Sequence, residues 1–450
     1  MSPLSIALAF AGAAAAAVSP PGYVQEVLPN GLSVSILPDA TSPVVSTQVW
    51  YQVGSAHEDA GSRGLAHLFE HLMFGATASR SDEEYWELHH RTGGNNNAFT
   101  GFDETVYTSE ILPEHHLAVL EHEADRMVGL ELTPERVANE IRIVTEELRL
   151  ATENDPLNRV LVQATRALLG EHPYAYWPSG TKEDLAAVGL ESCRAFYERY
   201  YGPANAHLVV VGPVDSGTTL SAVRRLFGSI RPRGEIPEEV PALDTWVFPA
   251  ESSYEDDLPP VELAIYGFPL PPPAHENYAA IELLGYLLSG GARNPFRDEL
   301  VVRRNKAVEA GVQVLQARRG GAIAFYSAHV PYRRKKTAYR IMDRAMAELS
   351  GLFWLTEDHL VSAKRALLRE ETGRRYYSAS RADAIGRARL WQGDGAAAFE
   401  RAARIDAVTL DDVRGVFERY LGREPVRIYV RPERVPVWIR LFGWLYPLVS

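Results

Sequence analysis

Two periodicities alternate along the chain. Short runs rich in β-branched and aromatic residues, SVSILPD from Ser33, VVSTQVWYQVG from Val44 and VELAIYGFP from Val261, read as strands. Longer stretches have helical spacing. TPERVANEIRIVTEELRLATENDP begins with Thr133 as an N-cap and Pro134 at the first helical position, and it stops before Pro156. Strands mixed with amphipathic helices predict an α+β fold of antiparallel sheets packed with helices.

The pattern occurs twice. LAAVGLESCRAFYERYYG from Leu185 returns as IDAVTLDDVRGVFERYLG from Ile405 at a constant offset of 220, and each copy runs on into a β segment, AHLVVVGPV or VRIYVRPE. A duplicated domain follows. The first copy spans 23–231 and the second 245–434, joined by a proline-rich, polar linker at 232–244. An aromatic, amphipathic tail at 435–450 could cap a domain, meet a partner or touch a membrane surface.

One stretch breaks the pattern. GLAHLFEHLMF, Gly64 to Phe74, is apolar nearly all round and reads as a buried helix, yet it holds His67, Glu70 and His71. Residues four apart lie about 40° apart around the axis, so the histidines share a face, with Glu70 on the same side. Two such imidazoles can bind one zinc ion, and the carboxylate between them can serve as general base. The order H-x-x-E-H is that of the inverzincins. A pair of hydrogen-bonded core histidines would give the same pentapeptide. A third ligand would decide between them, and downstream Glu140 and Glu147 lie seven apart on one helix face, with Glu146 rotated away. Their spacing fits a solvated face equally well. Carried forward by 220, the histidine helix meets LLSGG, Leu287 to Gly291, which has neither His nor Glu, so one zinc per chain is expected.

Composition narrows the chemistry further. Hydrophobic residues make up 46% and charged residues 23%, which excludes a disordered or collagen-like chain. A net charge of -12 argues against nucleic acid as a partner. Cys193 is the single cysteine, so thiolate metal clusters are excluded and any metal must use His and carboxylate. An apolar run from Leu4 to Val18, with an A-x-A pattern at Ala15 and Ala17, reads as a secretory signal peptide at 1–18, although its start has no Lys or Arg. A periplasmic or secreted protein is expected.

HLFEH, the helix NEIRIVTEELR with a glutamate 76 residues after the second histidine, and GGNNNAFTGFDETVYTSEI together resemble the pitrilysin, insulin-degrading enzyme and mitochondrial processing peptidase family of inverted zincins. VGSAHEDAGSRGLAH and HPYAYWPSGTKEDL add to the resemblance, which covers nearly the whole mature chain at the length of a bacterial-type half-size subunit. It implies that His67, His71 and Glu147 are zinc ligands, that Glu70 is the catalytic base, and that Glu140 orients the site. It also implies that the strand with Asn97, Ala98, Phe99 and Thr100 holds an extended peptide beside the metal by edge-on pairing.

The family's second domain supplies an arginine and, seven residues on, a tyrosine. Here Val301 and Val308 stand at those positions, with Arg303 and Arg304 nearby. The resemblance therefore implies a zinc endopeptidase for unfolded peptides that pairs with a homologous subunit bringing the Arg and Tyr, or forms a homodimer. A non-catalytic peptide-binding or assembly subunit of the same fold is the alternative.

Overall fold

A computed structural model describes residues 19–437 except 154, 257–260, 291–293 and 332–334. The expected leader and residues 438–450 of the tail lie outside the described residues. The first copy runs β1 (Val24–Val27), β2 (Ser33–Pro38), β3 (Val45–Tyr51), α1 (Leu65–Leu72), α2 (Asp82–Thr92), β4 (Asn95–Thr100), β5 (Thr105–Ile111), α3 (His116–Gly129), α4 (Pro134–Glu153), α5 (Pro156–Leu169), α6 (Lys182–Ala187), α7 (Leu190–Tyr200), β6 (Ala206–Gly212) and α8 (Ser216–Phe227). The second runs β7 (Glu251–Asp256), β8 (Glu262–Leu270), α9 (Tyr278–Ser289), α10 (Pro295–Arg297), β9 (Glu309–Ala317), β10 (Gly320–His329), α11 (Lys335–Ser350), α12 (Glu357–Arg374), α13 (Ser378–Gln392), α14 (Arg401–Ala407), α15 (Leu410–Val416) and β11 (Val426–Pro432).

The two sheets share one topology. Their orders are β1-β2-β6-β3-β5-β4 and β7-β11-β8-β10-β9, so β2, β6, β3, β5 and β4 match β7, β11, β8, β10 and β9. β6 and β11 stand at the offset of 220. Both sheets are antiparallel except for one parallel pair each, β2 with β6 and β7 with β11, because a long helical excursion separates those strands in the chain. Each sheet ends on an edge strand made by a hairpin, β4 in the first and β9 in the second.

One face of each sheet packs on helices of its own copy, in separate cores around Phe69 and Phe268. The opposite faces are covered by exchange. Val160, Ala164 and Leu168 of α5 pack with Ile265, Ile428 and Val430 of the second sheet. Ala382, Ile385 and Leu390 of α13 pack with Trp50, Val106 and Val209 of the first. The approach is close enough to need glycine. A Cβ on Gly267 would stand 2.1 Å from Leu168 Cδ1, and one on Gly386 would stand 2.1 Å from the Trp50 ring. Polar contacts fix the register of α13: Gln48 Nε2 donates to Asp383 Oδ1 at 2.8 Å, and Arg381 pairs with Asp39. Among the described residues no helix is long and apolar enough to cross a membrane.

Because each domain lends the other a covering helix, the two should unfold together. Ile385 is fully buried, so Ile385→Ala should cost about 2–5 kcal/mol. Differential scanning calorimetry should show one transition moved to lower temperature rather than two that separate.

Candidate metal centre

Burial on most sides defines α1. Leu65, Ala66, Leu68, Phe69 and Leu72 are in the core, and the remaining side faces α4 and β4. Its first turn is held by a residue upstream. Glu58 accepts from the backbone N–H of Gly64 at 2.8 Å and of Ala66 at 2.6 Å, satisfying donors that a helix start leaves open. Gly64 takes φ 95°, which favours glycine. Behind the helix, Tyr107 Oη donates to the Phe69 carbonyl at 2.8 Å, and the buried Arg126, paired with Glu123, lies over the Tyr107 ring.

His67 and His71 thus emerge together toward α4. Thr133 caps that helix, its Oγ1 accepting from Arg136 N–H at 3.2 Å. Glu147 Oε2 stands 3.8 Å from His67 Nε2 and 3.4 Å from His71 Nε2. Glu140, two turns earlier, lies 3.6 Å from His71 Nδ1. Glu70 turns to the end of β4, where Thr100 Oγ1 donates to its Oε2 at 2.7 Å.

Electrostatics differ among these groups. Contact with Glu140 raises the His71 pKa above its ordinary value, and the same contact lowers that of Glu140. Burial lowers His67, with His71 acting in the same direction. Burial raises Glu70, against the Thr100 hydrogen bond and His71.

One ligand atom each from His67, His71 and Glu147 lies within 4.8 Å of the others. Tetrahedral zinc bonds of about 2.0–2.2 Å separate ligand atoms by about 3.3–3.6 Å, so two imidazoles and one carboxylate at these spacings fit zinc. Glu140 on the far nitrogen of His71 is the kind of outer partner that fixes a ligand's tautomer and orientation.

The four residues of the expected peptide strand divide by face. Among the described residues β4 has β5 as its one hydrogen-bonded neighbour, and its other edge has no strand partner. Ala98 packs in the α1 core, and Thr100 is taken up by Glu70. Phe99 sits edge-on against Trp50 on the opposite face, and Asn97 is exposed. In the second domain Val301 is partly buried and Val308 is 40% exposed. Arg303 and Arg304 both pair with the buried Glu299, and Arg304 also with Glu348 at 2.9 Å. Sequence reasoning missed Glu58, whose carboxylate acts from six residues before Gly64, and it missed the bond from Thr100 to Glu70.

A duplicated α+β scaffold with a His, His, Glu cluster and an adjacent carboxylate defines the class of a metallopeptidase fold. Family models agree. Insulinase (Peptidase family M16) matches residues 34–175, and Peptidase M16 inactive domain matches residues 187–367. The chain belongs to peptidase family M16. It is 29% identical over 296 residues to zinc protease PqqE of Helicobacter pylori, an alignment spanning 64% of this chain and 66% of that one. It is 27% identical over 414 residues to an uncharacterized zinc protease of Mycobacterium leprae, spanning 89% and 90%. In fold it is similar to a protease from Helicobacter pylori, with TM-score 0.80, 23% identity and coverage of 91% of this chain and 99% of the other. The periplasmic protease PqqL from Escherichia coli gives TM-score 0.70 at 18% identity, with 95% of this chain matching 50% of that one.

The turn after β4 contains a second perturbed carboxylate. Glu104 is 6% exposed, and burial, reinforced by Asp103 and opposed by Arg387, pushes its pKa from 4.5 to about 7. The folded form therefore holds a proton that the unfolded chain releases, and this group's contribution to stability falls as pH rises from about 4.5 to 7. Urea unfolding of the wild type and of Glu104→Gln across that window should show a weaker loss with rising pH in the variant.

Proposed function

We propose that this chain is a zinc-dependent endopeptidase that cleaves extended or unfolded peptides inside a closed cavity formed with a homologous subunit. The observation that carries the reading is the meeting of His67, His71 and Glu147 beside Glu70, itself bonded to the end of an unpaired edge strand. His67, His71 and Glu147 would hold one zinc ion per chain, with Glu140 steadying the His71 ring. When bound, zinc polarises a carbonyl and lowers the pKa of water at the remaining position. Glu70 takes the proton from the attacking water and returns it to the leaving amine. Thr100 fixes one Glu70 oxygen and leaves the other for the proton. An extended peptide adds to β4 through main-chain hydrogen bonds, with Asn97, Ala98 and Phe99 beneath it.

The partner follows from what this chain lacks. Val301 and Val308 occupy the places of the family's Arg and Tyr, while Arg303 and Arg304 are engaged by Glu299. PqqL carries about twice this chain's matched length. A second homologous chain, or a second copy of this one, would complete the enclosure. The apolar run at 4–18 supports action outside the cytoplasm, in the periplasm or as a secreted protein. The same missing pair favours a second reading, in which the chain binds peptide for a catalytic partner.

Glu70→Gln should retain stoichiometric zinc by metal analysis and lose turnover of a quenched-fluorescence peptide by at least about a hundredfold. Retained cleavage would overturn the assigned base. Glu140→Gln should weaken zinc affinity about 10–100-fold in a chelator competition while the fold persists by circular dichroism.

A further inference from the structure

A polar network buried between the domains begins three residues beyond Thr100. Asp103 is 2% exposed in the turn from β4 to β5. Tyr174 Oη donates to its Oδ1 at 2.7 Å, and the backbone N–H of Arg318 donates to its Oδ2 at 2.8 Å. The same Tyr174 hydroxyl accepts from the Arg319 backbone N–H at 3.0 Å. Tyr174 belongs to the first domain, between α5 and α6, and is fully buried beside Phe102. Arg318 and Arg319 are the turn of the β9–β10 hairpin in the second. The other flank of the β4–β5 turn is held too. Gly101 and Phe102 carbonyls accept from Ser55 and Ala56 at 3.2 and 2.9 Å, and Glu104 lies 3.8 Å from Arg387 of α13.

Burying a carboxylate and a phenol costs free energy unless each is bonded, and here two directional bonds end on Asp103 while a third holds the Tyr174 hydroxyl that makes one of them. Apolar packing by α5 and α13 already joins the domains. A hydrogen-bonded tripod adds placement, and what it places is the turn that follows Thr100. We propose that Asp103 and Tyr174 are positioning residues through which the second domain sets Thr100 against Glu70, and with it the β4 edge against the histidine pair. This rests on the peptidase reading and gives the domain without the metal motif a role in the chemistry.

Tyr174→Phe keeps the ring and removes the bridging hydroxyl. In the zinc-loaded full chain, with its partner if one is required, zinc content should be unchanged and kcat should fall about tenfold or more. Combined with Thr100→Val, the two effects should be markedly less than multiplicative, because both act on the same Glu70 contact. Asp103→Asn, which keeps an acceptor oxygen, should retain more activity than Asp103→Ala. Unchanged kcat in Tyr174→Phe, fully multiplicative effects, or equal losses in the two Asp103 variants would each overturn the proposal. Hydrogen–deuterium exchange provides a test that needs no activity. Faster exchange in Tyr174→Phe confined to residues 95–105 is the expected result, and a rise spread over α1 and α4 would sink the positioning role. That local change in Tyr174→Phe, together with a wild type that cleaves no peptide, would refute the peptidase reading alone.

Discussion

The burial of α1 is the constraint on which the arrangement depends. A helix apolar on nearly every side must be enclosed, and polar groups within it are tolerated only where they meet partners. His67, Glu70 and His71 all point toward the one gap left between α4 and the end of β4. The surrounding elements serve this placement. Glu58 closes the first turn of α1, Tyr107 holds a carbonyl behind it, and Glu140 and Glu147 arrive from a single long helix capped at Thr133.

Among the described residues only the first copy brings a His, His, Glu cluster together. The counterpart of α1 is α9, and its inward residues, Ile281, Leu284, Leu287 and Leu288, are wholly apolar and buried. The second copy therefore needs no ligand to complete its core. It has become scaffold, and the exchange of α5 for α13 makes it a scaffold the first copy requires, because the face of the first sheet bearing Trp50 and Val209 would otherwise be exposed.

Much of this was legible in the sequence, and the boundary has physical causes. The histidine helix and the strands at Ser33, Val45 and Glu262 rest on local periodicity, the Thr133 cap on residue type and the repeat at offset 220 on matching segments, and all of these survive folding. The spacing of Glu140 and Glu147 left a solvated face open, and the meeting with His67 and His71 depends on how α4 crosses α1, which no local pattern encodes. The parallel pair in each sheet was not foreseen, since strand direction there is fixed by contacts between segments more than 150 residues apart. Asn97 to Thr100 read as one peptide-facing unit. In the fold their alternation gives Thr100 to Glu70 and Phe99 to Trp50.

The remaining asymmetry of the site is its open side. Glu147 is 48% exposed at its side chain, while Glu140 is 14% exposed, so the cluster is dry toward α1 and wet away from it. Electrostatic interactions gain strength as water leaves, so the exposed side of the cluster is its weaker side. Among the described residues the second edge of β4 has no strand partner, and such an edge is a template for pairing with another chain. Under the proposed function, one extended chain laid along it would pair its backbone groups.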